Sequence, residues 1–199
     1  MKYIILVPIY NDRESLKLLI KNINQEIKEL NSEISLVIIN DGSSQQIIDE
    51  YPDIENINFI EILNMKQNRG HTRCIASGLK YIYEKKEFDY VIPMDGDGED
   101  RPEEIKNFIE ISKQSGDKSI VGVRVKRSES LFFKFCYQFH KFLTFVFTGQ
   151  SIKFGNYTCL SKVTVKKMIN EKATWNSFSG SLKKIENDLI TSPSVRGKD

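Results

Sequence analysis

The sequence has few cysteines and no long apolar run, the features typical of disulfide-rich secreted, metal-thiolate and membrane-spanning proteins. It contains 3 cysteines among 199 residues. Their odd number and wide spacing, in no metal-ligand pattern, argue against a disulfide framework and a zinc site. No run of about 18 apolar residues is present, and the N-terminus is too short and too strand-like for a signal peptide. We therefore expect a cytoplasmic protein with reduced thiols in its core.

The sequence also lacks internal repeats, low-complexity tracts and any linker that would force a second domain. With 199 residues, it is long enough for one domain with a sizeable core. Its charge is uneven, because residues 1–117 carry 14 basic and 22 acidic residues, whereas residues 118–199 carry 15 and 5. The acidic part suits a metal ion, and the basic part suits phosphate or an anionic membrane surface. A solvated basic face is the alternative for many of these lysines.

Apolar segments alternate with segments of helical periodicity in the first 125 residues. The predicted strands are residues 2–7, 35–40, 58–63, 90–94 and 119–123, and the predicted helices follow Asp12, begin at Gly70 and begin at Pro102. The strands are apolar almost throughout, which is typical of strands buried on both faces. This pattern predicts an α/β fold with a mainly parallel sheet and helices on both faces.

Three of the predicted strands end in polar loops, at residues 8–12, 41–44 and 95–100. Ligands of parallel α/β sheets bind beyond the carboxyl ends of the strands. If the strands are parallel, the three loops converge on one edge of the sheet. That edge is the predicted functional site.

The third loop is the most informative part of the chain, because four acids lie within six residues after an apolar strand. They are Asp95, Asp97, Glu99 and Asp100. A divalent cation bound by oxygen ligands relieves the repulsion between such carboxylates. Mg²⁺ commonly takes one or two carboxylates and completes its shell with water and substrate phosphates. The loop therefore predicts metal-assisted chemistry on a phosphorylated substrate, with an acidic surface turn as the alternative.

The order of these motifs resembles that of the family-2 glycosyltransferases, which have the Rossmann-like GT-A fold. The segments that carry the resemblance are VPIYND at 7–12, INDGSS at 39–44, NRGHTR at 68–73 and MDGDGEDRPE at 94–103. The last of them is similar to the corresponding segment of dolichol- and polyprenyl-phosphate sugar transferases. Residues 152–157, 175–176 and 195–198 resemble segments of one bacterial branch, although Ser177 stands where that branch has histidine. The chain stops inside the last of these segments, so we expect a C-terminal segment to be missing.

The resemblance implies transfer of a sugar from a UDP- or GDP-sugar donor to an acceptor, with inversion. Residues 1–127 would form the nucleotide-sugar-binding core, and residues 128–199 an acceptor-side, Phe-rich and basic extension of the same domain. Mg²⁺ or Mn²⁺ on the diphosphate would be held by Asp95 and Asp97, the catalytic pair, with Glu99 as an additional ligand. Asp100 is expected to be a solvated lead-in to the helix at Pro102.

The resemblance also implies contacts to the nucleoside. Asp41 would read the base or ribose, or cap a helix instead. The base pocket would be lined by Pro8, Tyr10 and Asp12. Arg73 would lie near the nucleotide, with a solvated surface position as the alternative. His71 is expected to serve local structure rather than catalysis.

The acceptor side is less constrained by the sequence. Arg124, Arg127 and Arg196 could bind the phosphate of a lipid acceptor, although solvated charge explains them nearly as well. A polyprenyl phosphate is already anionic and needs no strong general base, whereas a sugar hydroxyl of a cell-surface polysaccharide needs one. Glu186 or Asp188 could be that base.

Residues 130–148 contain seven phenylalanines and predict a helix. The helix is either part of the core or an interfacial helix at the inner face of the cell membrane. Nothing in the chain suggests a nucleic-acid partner. Two other functions stay open: an aspartyl-phosphate phosphatase, which Glu99 argues against, and a catalytically inactive nucleotide-binding module.

Overall fold

Apolar segments from the acidic part, residues 1–117, and from the basic part, residues 118–199, form one seven-stranded sheet. The computed structural model describes residues 1–45, 54–124 and 154–195. The strands are β1 (Lys2–Ile9), β2 (Glu33–Asn40), β3 (Ile60–Asn64), β4 (Tyr90–Pro93), β5 (Ile120–Arg124), β6 (Phe154–Ser161) and β7 (Ile190–Ser194). The helices are α1 (Arg13–Glu26), α2 (His71–Lys85), α3 (Ile105–Ser115), α4 (Lys162–Asn170) and α5 (Phe178–Ile185). Short 3₁₀ helices span Pro102–Glu104 and Lys172–Trp175.

The strand order is β3-β2-β1-β4-β6-β5-β7. β1 pairs in parallel with β2 and β4, β2 with β3, and β5 with β7, while β6 runs antiparallel between β4 and β5. The expected α/β fold with a mainly parallel sheet is therefore confirmed. β5 follows β4 in the sequence but is separated from it in the sheet by β6.

Helices cover both faces of the sheet, as the sequence predicts. Successive side chains of a strand point to opposite faces. In β1, Ile5 and Val7 pack in the cluster that holds the buried residues of α1 and α3. The neighbouring Ile4 and Leu6 pack in the cluster that holds those of α2, α4 and α5. This two-sided burial explains why the strand is apolar throughout.

The sheet has a carboxyl edge, where β1, β2 and β4 end, and an amino edge, where they begin. β5 runs in the same direction as β4, because each is antiparallel to β6. The backbone of Arg124, the last residue of β5, therefore also lies at the carboxyl edge. β1, β2 and β4, which precede the three polar loops, all end at the carboxyl edge, so the loops begin at one edge as predicted.

Several predicted features lie outside the described residues. They are Arg127, Arg196, Cys136 and the Phe-rich segment 130–148. Within residues 1–45, 54–124 and 154–195, no helix is long and apolar enough to cross a membrane.

The two described cysteines are buried, as the sequence predicts. Burial raises the pKa of the Cys74 thiol to about 12, and a hydrogen bond to Asp41 adds to the shift. Burial raises the pKa of Cys159 well above its ordinary value. Because the folded state keeps these thiols protonated, the stability they contribute is present below about pH 9 and is lost as the pH rises toward the folded pKa.

We therefore expect iodoacetamide to alkylate Cys74 and Cys159 at pH 8 at least about 100-fold more slowly in the native protein than in denaturant, because the thiolate is the reactive form. Peptide mapping by mass spectrometry at timed intervals measures both rates at each cysteine. Equal rates in native and denatured protein would contradict the described burial.

Candidate functional site

The loops after β1 and β2 are fastened to each other through Asn11. Its backbone N–H donates to Ser43 Oγ at 2.9 Å, and its Oδ1 accepts from the backbone N–H of Ser44 at 2.9 Å. Asn11 has a φ of 51°, a left-handed conformation that asparagine tolerates better than most residues. The preceding Tyr10 is 51% exposed at the same edge. Sequence reasoning quoted Asn11 within a motif but gave it no role.

Asp41 joins the β2 loop to the start of α2. Its side chain is buried, with 4% exposed. Oδ1 accepts from the backbone N–H of Arg69 at 2.7 Å, and Oδ2 accepts from that of Gly70 at 2.8 Å. A carboxylate has about four acceptor positions, and these two bonds and the one from the Cys74 thiol leave one of them for a ligand. The observed role of Asp41 is to fix the amino end of α2, which is close to the helix-capping alternative.

The first residue of α2, His71, contacts the acidic turn. His71 Nε2 lies 2.9 Å from Asp95 Oδ1. The hydrogen bond to Asp95 is the main cause that raises the pKa of His71 above its ordinary value, and burial opposes the shift. The sequence predicts that His71 serves local structure, and it offers no sign of a contact with Asp95, which lies 24 positions further along the chain. The structure places it in the site.

The acidic turn lies directly over the end of β1. A Cβ added at Gly96 would be 3.0 Å from Ile9 Cδ1 and 3.1 Å from the Pro8 carbonyl oxygen. The absence of a side chain at Gly96 therefore lets the turn approach Pro8 closely. This contact brings the acids of the turn beside the first polar loop.

Two acids of the turn shape its backbone. Asp97 Oδ1 accepts from the backbone N–H of Glu99 at 2.9 Å, and Asp100 Oδ2 accepts from that of Asp95 at 2.9 Å. Asp100 is buried, with 8% exposed, because its carboxylate folds back onto the turn. The expectation that Asp100 is solvated is therefore wrong.

The donor set of the turn fits a hard divalent cation only in part. Across the three described stretches of chain, no group of three or more His, Cys, Asp or Glu side chains is arranged to hold a metal. The expected set of Asp95, Asp97 and Glu99 is thus not assembled as a three-carboxylate group in the described residues. Asp95 and Asp97 remain suitable oxygen ligands, because Mg²⁺ needs only one or two carboxylates when phosphates complete its shell.

β6 closes the other side of the turn. The Tyr157 hydroxyl donates to the Arg101 carbonyl at 2.7 Å, and its ring packs edge-on against Phe108. Asn156 Nδ2 lies 3.5 Å from His71 Nδ1. Sequence reasoning noticed this segment only as a resemblance and predicted neither β6 nor its contacts.

The remaining residues predicted to contact the nucleotide, Pro8, Asp12 and Arg73, lie around the same edge. They differ in burial and in their hydrogen bonds. Pro8 is buried in β1, and Arg73 is exposed in the first turn of α2. Asp12 caps α1 by accepting from the backbone N–H of Ser15 at 3.2 Å. Part of its capacity is therefore used by the helix rather than by a base pocket.

Glu186 and Asp188 lie at the amino edge, away from the acidic turn. Glu186 accepts from Thr164 Oγ1 at 3.2 Å, near the start of α4, and Asp188 pairs with Lys118 at 2.6 Å, just before β5. Asp95 follows the carboxyl end of β4, at the opposite edge. The expectation that either acid is a general base is therefore wrong, since position along the chain does not reveal which edge a loop occupies.

Comparison with known proteins agrees with the fold and motifs. A family model described as "Glycosyl transferase family 2" matches residues 4–178. The undecaprenyl-phosphate 4-deoxy-4-formamido-L-arabinose transferase of Photorhabdus laumondii is 31% identical over 163 residues, 80% of this chain and 47% of its own length. That of Proteus mirabilis is 28% identical over 173 residues, 85% of this chain and 50% of its own length.

Solved structures with the same fold have much lower identity. S. aureus TarS 1-349 in complex with UDP-GlcNAc aligns with a TM-score of 0.63 and 14% identity, over 100% of this chain and 60% of that one. The mannosyltransferase PcManGT from Pyrobaculum calidifontis, in complex with GDP-Man and Mn²⁺, aligns with a TM-score of 0.62 and 15% identity, over 98% of this chain and 56% of that one. These likenesses support the GT-A fold.

The chain spans about half the length of the curated relatives it matches. The family model nevertheless covers most of the chain, and the four motifs occur in its order on a matching fold. The chain therefore belongs to glycosyl transferase family 2.

Proposed function

We propose that this chain carries the donor site of a glycosyltransferase that moves a sugar from a nucleotide-sugar to a polyprenyl phosphate. One observation carries the proposal: the Asp95 turn packs over the end of β1, beside the Asn11 and Asp41 loops. Acids that suit a metal-bound diphosphate thus adjoin the loops that the family resemblance assigns to the nucleoside. The likeness to a fold that binds UDP-GlcNAc in one protein and GDP-Man in another supports this arrangement.

Asp95 and Asp97 would hold Mg²⁺ or Mn²⁺, which neutralises the diphosphate leaving group when the glycosidic bond breaks. His71 and Asp100 fix the Asp95 side chain and backbone, so the carboxylate is oriented before the donor binds. The amino end of α2 lies beside the turn, and the positive end of the helix dipole favours a negatively charged ligand there.

The nucleoside would bind at the loops after β1 and β2. Tyr10 has an exposed ring that can stack on a base. Asp41 retains acceptor capacity for a ribose hydroxyl or a base N–H. Arg73 is exposed in the first turn of α2, where its guanidinium can reach a phosphate.

The acceptor is proposed to be a lipid phosphate. The curated relatives are named for transfer to undecaprenyl phosphate, and an anionic acceptor needs no strong general base. Glu186 and Asp188, the bases considered for a hydroxyl acceptor, lie at the amino edge. The backbone of Arg124 lies at the carboxyl edge with the donor site, and Arg127 and Arg196 are proposed to add positive charge there. Such an acceptor would bring the protein to the inner face of the cell membrane as a peripheral protein.

Nucleotide binding is measured first, by thermal unfolding with UDP or GDP in the presence of Mn²⁺, with and without excess chelator. A ligand at 100 times its Kd stabilises a protein by about 2.7 kcal/mol, which raises the Tm of a domain of this size by about 5–10 °C. We expect such a rise with one of the two nucleotides and its loss with chelator. No metal-dependent rise with either nucleotide would contradict the donor site.

The acceptor is then tested with the matching nucleotide-sugar and two acceptors, undecaprenyl phosphate in detergent micelles and a soluble oligosaccharide. Transfer to the lipid phosphate alone is expected. Transfer to the oligosaccharide would favour a polysaccharide hydroxyl as acceptor. Nucleotide binding without transfer or hydrolysis would favour an inactive binding module.

A further inference from the structure

Three side chains from three separate elements form a chain of contacts that ends at the acidic turn. Asn156 on β6 contacts His71 at the start of α2, with 3.5 Å between Asn156 Nδ2 and His71 Nδ1. His71 Nε2 contacts Asp95 Oδ1 at 2.9 Å. The Asp95 side chain is 23% exposed and that of His71 is 42% exposed, so both are reachable by a ligand from solvent. Each ring nitrogen of His71 thus has one side-chain partner, Asn156 at Nδ1 and Asp95 at Nε2.

We infer that Asn156 is a positioning residue for the Asp95 carboxylate and acts through the ring of His71. This inference rests on the proposed donor site, because it concerns how the carboxylate that meets the diphosphate-bound cation is oriented. Asn156 itself contacts neither the acidic turn nor a reacting atom. Its effect on the site is transmitted by the imidazole.

The physical basis is the orientation of the imidazole. A neutral histidine carries its hydrogen on only one of the two ring nitrogens. A partner that donates to one nitrogen therefore places the hydrogen on the other. An amide N–H from Asn156 makes Nδ1 the acceptor and leaves the hydrogen on Nε2, facing Asp95. If the ring is doubly protonated, rotation of the Asn156 amide presents its oxygen to Nδ1 instead. Asn156 therefore supports the same ring orientation in both forms.

Asp95 is restricted at two points, of which an oriented His71 supplies one. The Asp100 carboxylate accepts from the Asp95 backbone N–H, while His71 holds Oδ1 of the side chain. A carboxylate can bind a cation while one oxygen accepts a hydrogen bond. Loss of an outer partner that orients a ligand typically weakens metal affinity by about 10- to 100-fold. His71 is that partner of Asp95, and removing Asn156, one contact further out, is expected to cost the lower end of this range, about 10-fold.

The alternative is that Asn156 serves only the local structure of β6. A double-mutant cycle distinguishes the two roles. His71→Gln keeps an amide N–H near the position of Nε2 but removes Nδ1, so Asn156 loses its partner while Asp95 keeps a donor. Asn170→Ala is the matched control, because Asn170 is an exposed asparagine on α4 whose amide donates to the Lys166 carbonyl at 2.8 Å.

The measurement is the equilibrium affinity for Mn²⁺ by titration calorimetry in the presence of the nucleotide that the protein binds. We expect Asn156→Ala to weaken Mn²⁺ binding about 10-fold in the wild-type background and less than about twofold in the His71→Gln background. Asn170→Ala is expected to leave the affinity unchanged. An equal loss in both backgrounds, or no loss in the wild type, would overturn the inference.

A second readout does not depend on metal or nucleotide. The ¹⁵N shifts of the His71 ring in the metal-free protein report which nitrogen carries the hydrogen. We expect the neutral ring to carry its hydrogen on Nε2 alone in the wild type and a mixture of the two tautomers in Asn156→Ala, with an unchanged Tm. Unchanged ring shifts would overturn the inference, whereas a ring effect in a protein that binds no metal–nucleotide would instead contradict only the proposed function.

Discussion

Replacing Asp95 with asparagine is expected to reduce sugar transfer by at least about 100-fold. A metal ion contributes several kcal/mol of charge stabilisation to a departing diphosphate, and each 1.36 kcal/mol corresponds to about a tenfold change in rate. Asparagine has nearly the same shape as aspartate and can still accept a hydrogen bond from His71 Nε2. The substitution therefore removes the charge while it preserves the contact that orients this side chain.

The rate is measured at saturating donor and acceptor, with Mn²⁺ varied over a wide range. Asp97→Asn is expected to act in the same direction, whereas Glu99→Gln is expected to have a smaller effect because two carboxylates suffice for Mg²⁺ when phosphates complete its shell. Asp117→Asn is the control, since Asp117 is an exposed acid at the amino edge, before β5. A full rate for Asp95→Asn in the presence of chelator would refute the assignment of Asp95 to the metal-bound diphosphate.

The fold and the place of the site were predictable because local patterns in this chain agree with the global structure. β1, β2 and β4 are apolar over most of their length, which indicates burial on two faces, and each is followed by a polar loop. Once the strands are parallel, those loops must share an edge. The capping contact of Asp12 is equally local, because it joins Asp12 to the first turn of its own helix.

Predictions failed where the determining contact joins residues far apart in the sequence. β6 was missed because glycine and asparagine, which are depleted in strands, interrupt its strand-forming residues. β7 contains Pro193, which a strand tolerates only at the edge of a sheet, and β7 is an edge strand. The insertion of β6 between β4 and β5 brings Asn156 to His71, and no periodicity of the sequence encodes that neighbour.

Gly42 shows how closely the second loop depends on such a distant contact. It directly follows Asp41, has a φ of 70° and packs against the loop that precedes α2. A Cβ added there would lie 2.7 Å from the backbone carbon of Gln67 and 2.8 Å from the backbone nitrogen of Asn68. Both atoms belong to the main chain, so they cannot move aside as the end of a flexible side chain can. The Asp41 bonds to the two amides that follow this loop hold the same contact in place.

Gly42→Ala is therefore expected to destabilise the protein by about 2–6 kcal/mol, the sum of left-handed backbone strain and overpacking. We also expect it to abolish nucleotide binding, because the displaced loop breaks the Asp41 bonds that fix the start of α2. Gly116→Ala separates the two causes, since Gly116 also has a positive φ, 60°, but no atom within 4 Å of an added Cβ. Urea unfolding should show a cost about 1–3 kcal/mol smaller for Gly116→Ala, and calorimetry should show unchanged nucleotide affinity. Equal stability costs for the two variants would mean that strain alone, and not the contact with residues 67–68, requires glycine at position 42.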